Sequence, residues 1–200
     1  MVSNCYIEPS RREVYALFTT IPENSSVLLG MLYLFNPVRF MAAFRQHLYR
    51  SAAKMGVAME GQLIAFLHGA YDPTTKSYPL HIHGIAVGPM VQIVDGLRHL
   101  RKYRPACPHD GRDAAITPVL VQRGPLTNMP DPITYPMKRF WGLRETYMDV
   151  DGLRKAYNSK AVRIRGEAEI EYLRFLDRWR LEEVTLLMGM HATSAGLMVT

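Results

Sequence analysis

Cysteine is scarce: the 200-residue chain has two, Cys5 and Cys107. That is too few for a disulfide scaffold, and no Cys-x-x-Cys spacing offers a thiolate zinc site. Long hydrophobic runs are absent as well. The longest, residues 27–35, falls far below the roughly 20 apolar residues a helix needs to cross a bilayer. The opening Met-Val-Ser-Asn-Cys-Tyr lacks the charged-then-apolar layout of a secretory leader. These absences predict a reducing, cytoplasmic setting and no membrane partner. No internal repeat, low-complexity tract or Gly-x-x-x-x-Gly-Lys phosphate loop occurs. No fused helicase is expected; any helicase would be a host partner.

Acidic residues are in deficit, 18 against 24 Lys and Arg, giving a net charge of +6 and a pI near 9.4. This balance favours an anionic partner such as nucleic acid, the bland alternative being a soluble basic surface. What the chain does have is core material. Hydrophobic residues make up 48% of it, enough for one domain with a small appendage.

The pattern of elements predicts an α+β fold. Residues 27–35 read as a buried strand, and Asn36-Pro37 as a helix start, with Asn as cap and Pro in the first turn. Phe40, Met41, Phe44 and Leu48 recur at helical spacing to about residue 54, among Arg39, Arg45 and Arg50, and Gly56 ends the element. Residues 63–68 and 80–87 read as two strands of an antiparallel hairpin around a polar, Pro-bounded connection. A helix is expected over 90–103, a strand over 116–122 with Pro118 at an edge or first position, and a helix over 131–141. From residue 150 onward the chain reads as helical, most clearly over 169–179. The expected architecture is a central antiparallel sheet with helices packed on one face, plus a helical C-terminal tail. The boundary falls near 145, with 146–200 packing on the same domain.

The most informative motif is His81-Ile82-His83. In a strand, residues i and i+2 share a face, so two imidazoles lie side by side while Ile82 turns to the core. A third ligand belongs on the partner strand. With the hairpin turn centred near Thr75, His68 lies opposite; Glu60 is the reserve, since a one-residue slip would swing His68 away. Imidazoles with open positions suit Mn²⁺ or Mg²⁺, with Zn²⁺ as a third option, acting as a Lewis acid.

Leu80-His-Ile-His-Gly-Ile-Ala resembles the His-hydrophobic-His motif of the HUH endonucleases. These include rolling-circle replication initiators, relaxases and single-strand transposases. Ile133-Thr-Tyr135-Pro-Met-Lys138-Arg139-Phe-Trp141 is similar to that family's Tyr-x-x-Lys segment, and 27–35 would correspond to its first core strand. The resemblance covers about residues 27–141. It implies an HUH/RRM-like nuclease domain over 1–145 that nicks and rejoins single-stranded DNA or a DNA hairpin at an origin. Tyr135 would form a covalent 5′-phosphotyrosine, Lys138 would assist, and the cation would sit on His81, His83 and a third ligand. The implied role is initiating rolling-circle replication of a plasmid or phage-like element. The alternatives are a relaxase or transposase of the same superfamily, or a non-catalytic nucleic-acid-binding regulator.

The residue types fit that chemistry. A phosphodiester must be neutralised and polarised before attack, and a phenolate stores the bond for rejoining. Tyr has a reference pKa of about 10, and an ammonium one turn away favours its ionised form. Pro136 keeps Tyr135 out of helical conformation, so Tyr135 would sit at a cap. Tyr157-Asn-Ser-Lys160 has the same spacing and competes for the role. Arg98, Arg101, Lys102, Arg104 and Arg139 could track phosphates, and Trp141 could stack on bases. The competing reading of each is a solvated helix end.

Overall fold

A computed structural model describes residues 15–104, 117–123, 141–144, 146–148, 150, 154–156 and 162–200. Its spine is two long strands, β3 (Gln62–Tyr71) and β4 (Ser77–Val87), paired antiparallel. The connection closes as expected. Asp72 bridges Ser77, and its carboxylate accepts the Thr74 backbone N–H at 2.9 Å, an Asx turn that fixes the register. Leu63, Ala65 and Leu67 thereby face Ala86, Gly84 and Ile82, and His68 faces His81.

Each spine strand carries two partners on its outer edge. Along β4 these are β1 (Tyr15–Thr20) and the short β2 (Ser26–Leu28); β5 (Val119–Arg123) then pairs with β1. Along β3 they are β10 (Thr185–Met188) and β6 (Gly142–Leu143), and β6 in turn pairs with β9 (Val162–Arg163). The result is an eight-stranded sheet. It is mixed, not purely antiparallel, because β6 runs parallel to β3. No hairpin links these two strands, so nothing local dictates their direction. Two small antiparallel pairs stand apart: β7 (Thr146–Met148) with β8 (Arg154–Ala156), and β11 (Met190–Thr193) with β12 (Gly196–Val199).

Helix α1 (Pro37–Met55) begins and ends as expected. The Asn36 side chain accepts the Arg39 N–H at 3.0 Å, Pro37 sits in the first turn, and Gly56 closes in the left-handed region. Its buried Met41, Phe44, Leu48 and Ala52 pack on one sheet face with Ala16, Phe18, Leu63, Ala65, Leu67, Tyr78, Leu80, Ile82 and Ala86. Helix α2 (Met90–Gly96) adds Met90, Val91 and Val94 to this core, and α3 (Glu167–Arg178) adds Ala168, Tyr172 and Phe175. Burying each large side chain contributes about 1.5–3 kcal/mol.

Three expectations need correction. Residues 27–35 are not one strand, and the first core strand is β1. After β2, Gly30 takes φ +84° and a 3-10 turn follows at Leu32–Leu34. The Glu171 carboxylate of α3 accepts the Gly30 and Leu32 N–H groups at 2.9 and 2.7 Å, removing donors a ladder would need. Of the turn's residues only Leu32 is buried; Tyr33 and Leu34 are 61% exposed. The expected 90–103 helix stops at Gly96, which packs against Ser51 and Met55 of α1, and continues as two 3-10 turns. The C-terminal third is not a helical tail. Its clearest segment is α3, but 185–199 form strands, and β10 joins the main sheet. The helix expected over 131–141 lies outside the described residues except at its last position, Trp141, which is buried and precedes β6. The expected strand over 116–122 is β5, which starts one residue after Pro118.

Candidate metal centre

Strand alternation sorts β4 into two rows. Tyr78, Leu80, Ile82, Gly84 and Ala86 are buried toward the helices, whereas His81 and His83 point to the other face and are partly exposed. On β3, His68 belongs to that second face and is paired across from His81. On the other flank of β4, Thr19 of β1 is paired with His83. Three strands thus deliver three imidazoles and a hydroxyl to one patch. One candidate ligand nitrogen from each of His68, His81 and His83 lies within 4.8 Å of the others. Ring centroids are 4.5 Å apart for His81 and His83, 4.9 Å for His68 and His83, and 5.8 Å for His68 and His81. His68 is 4% exposed and forms the closed side of the group, while His81 and His83 form its solvent side.

The electrostatics keep the His81 ring neutral. Burial pushes the His81 pKa well below the ordinary histidine value, and His83, His68 and Arg144 push it further down. A hydrogen bond from the His81 ring to the Pro79 carbonyl opposes the shift without reversing it. Neutral imidazole is the form that offers a lone pair to a metal. The supporting contacts also fit. Pro79 accepts from one ring nitrogen of His81, leaving the other free. His83 Nδ1 lies 2.7 Å from Thr19 Oγ1. With Thr19 as acceptor, His83 carries its proton on Nδ1 and presents Nε2. Backbone carbonyls and hydroxyls in this position orient metal-binding histidines and raise their basicity.

Three converging imidazoles, partners that orient their rings and a more exposed side make these residues a fit for one divalent ion. The ion itself is not identified. An imidazole-only set ranks the later transition metals above Mn²⁺ and Mg²⁺ in affinity. The reserve ligand Glu60 is not part of the group. It precedes β3 at the end away from His68, and Gln62 to His68 alone spans roughly 20 Å of strand.

Tyr135, Lys138 and Arg139, and the competing Tyr157 and Lys160, lie outside the described residues. Trp141 does not stack on bases. Its ring lies against Tyr172 at 4.9 Å and 26°, touches Phe175 and Tyr78, and fills the space that a side chain on Gly69 would occupy. Arg98 is exposed but bonded to Asp95, which Arg123 shares at 3.0 Å. Arg101, Lys102 and Arg104 are exposed, and the Lys102 carbonyl accepts the Glu23 N–H at 2.7 Å just beyond the end of β1. Tyr78, Tyr103 and Tyr172 are core phenols and Tyr71 packs against the core: burial pushes the pKa of Tyr71, Tyr78 and Tyr103 up, and that of Tyr172 up to about 12.

Thr19, Pro79 and Arg144 are the participants the sequence did not reveal. Arg144 follows β6, is exposed, and places a positive charge within reach of His81. The one available signal was the alternation of Tyr15–Thr20, whose pairing with His83 depends on a strand 64 residues away. Compared with protein-family models, curated proteins and solved structures, the chain matches none. Among the described residues no helix is long and apolar enough to cross a membrane.

Proposed function

We propose that this protein nicks and rejoins single-stranded DNA at the histidine centre, in the manner of the HUH endonucleases, to initiate rolling-circle replication. The observation that carries this reading is the convergence of His68, His81 and His83 on the sheet face opposite α1. A divalent ion bound there would polarise a phosphodiester oxygen and lower the charge barrier to attack.

The chain's own residues supply the rest. The Tyr135 hydroxyl attacks phosphorus, the Tyr–O–P bond forms as the P–O3′ bond breaks, and the phenolic proton ends on the departing 3′ oxygen. The products are a 5′-phosphotyrosine and a free 3′-OH, and the reverse reaction rejoins the strand. Lys138 offsets the negative charge of phenolate or phosphate. Arg144 is placed to hold the phosphate beside the histidines. Relaxases and transposases share this chemistry and differ in the DNA they act on.

The test is incubation with single-stranded DNA and Mn²⁺, followed by denaturing electrophoresis. A denaturant-resistant adduct that disappears in Tyr135→Phe and in His81→Ala supports the reading, and one lost only in Tyr157→Phe moves the nucleophile. Binding without any adduct or cleavage leaves a non-catalytic regulator. A second reading rests on the imidazole-only donor set, which also suits hydrolytic zinc sites with an open position. That reading requires cleavage with turnover and no adduct.

A further inference from the structure

Helix α1 contains Arg39, Arg45, Arg50 and Lys54 and no carboxylate. Residues 97–104 add Arg98, Arg101, Lys102 and Arg104, again without a carboxylate. The two segments are fastened together. His47, Arg50 and Lys54 stand at i, i+3 and i+7, so they share one flank of α1, and that flank meets 97–104. The Lys54 ammonium donates to the His99 carbonyl at 3.0 Å, and His47 Nδ1 lies 3.0 Å from the Tyr103 hydroxyl. Tyr103 is fully buried, so its segment is anchored in the core and its cations are held in place.

These charges are uncompensated. Asp95 is taken up by Arg98 and Arg123, which removes Arg98 from consideration. Among the described residues, Arg50, Lys54, Arg101, Lys102 and Arg104 form no ion pair. The positive field is felt at His47, whose pKa is lowered by burial and then by Arg50 and Lys102. Like charges fixed side by side without partners favour an anion that spans them.

We infer that Arg50 and Lys54 of α1, with Arg101, Lys102 and Arg104, form a binding surface for the phosphate backbone of duplex nucleic acid. A single-strand platform needs exposed aromatic rings stacked along the strand; Tyr103 is buried, and Tyr49, exposed on α1, stands about 100° around the helix from Arg50. A membrane surface needs a band of apolar side chains to insert; 97–104 exposes no large one, and on α1 beside Arg50 and Lys54 only Tyr49 and Met55 are partly exposed. What remains is charge spread over two segments, which reads backbone and not sequence. Because α1 packs on the sheet face opposite the histidines, this surface is separate from the metal centre. Its action needs neither the ion nor the nicking reaction.

The test is fluorescence anisotropy of a short labelled duplex of arbitrary sequence, in chelator, across a salt series. The variant R50Q/K54Q/R101Q/K102Q should bind at least about tenfold more weakly. Its slope of log affinity against log salt should fall by roughly 0.9 for each phosphate contact removed. The pair R101Q/K102Q, which removes no hydrogen bond of the fold, should give a smaller change in the same direction and covers the case where the quadruple variant fails to fold. His81→Ala should leave duplex binding unchanged. Absence of duplex binding by the wild-type protein would overturn the proposal. So would an equal loss in the charge-matched R45Q/R165Q/R174Q/R180Q. Loss of binding to phosphatidylserine vesicles with duplex binding intact would replace it with a membrane surface.

Discussion

The two faces of β4 are made from alternate residues of one strand and serve opposite ends. Toward the helices, Tyr78, Leu80 and Ile82 are almost fully buried in a close-packed apolar core. Toward the other face, His81 and His83 stay partly exposed, with ring nitrogens held by Pro79 and Thr19. One face builds the core and the other gathers three imidazoles close enough to hold a metal ion. The difference teaches that the motif His-Ile-His is informative because of the isoleucine as much as the histidines: Ile82 locks the strand so that its neighbours must face outward together.

The largest separation of the two faces should come from His81→Ala. Removing one of three ligands should abolish binding of one divalent ion per chain, read by calorimetric titration, while apo stability moves by no more than about 1 kcal/mol. On the helix side, Trp141→Ala should do the reverse. It empties the space between Tyr172, Phe175 and Gly69 and should cost about 3–5 kcal/mol in urea unfolding, with ion affinity unchanged in the folded fraction. A loss of DNA affinity without loss of stability would instead return Trp141 to the role of a base-stacking residue. An intermediate effect is expected at Thr19→Val, which keeps shape but removes the partner of His83. Ion affinity should fall about 10- to 100-fold, and Thr19→Ser should restore most of it.

The smallest effect is on pH dependence in chelator. His81 and His47 both have pKa values lowered in the folded state, in each case with burial as the main cause. The unfolded chain therefore takes up protons below about 6.5 that the folded chain refuses. Stability should be flat above that pH and should fall as the solution is acidified through and below it. Denaturation midpoints between pH 5 and 8 check the sign, and His81→Asn should flatten part of the slope.

Local features carried the legible part of the fold. The Asp72 turn and the alternation on either side of it placed His68 across from His81 without any tertiary information. Ala168, Tyr172 and Phe175 mark α3 by their helical spacing, and Asn36, Pro37 and Gly56 mark the ends of α1. Distant partners decided the rest. The apolar run after residue 27 looked like a strand, but Glu171, 141 residues from Gly30, binds its amides and folds it into a turn. Trp141, next to basic residues in sequence, is claimed by Gly69 and Tyr172 from elsewhere in the chain. Thr19 could not be found because its importance exists only through the β1–β4 register.

The most direct measurement is the stoichiometry and affinity of Zn²⁺ and Mn²⁺ for the purified, chelator-stripped protein, set beside the triple variant H68A/H81A/H83A. One ion per wild-type chain and none in the folded variant is the predicted result. No binding by the wild type, or the same binding by the variant, would contradict the account.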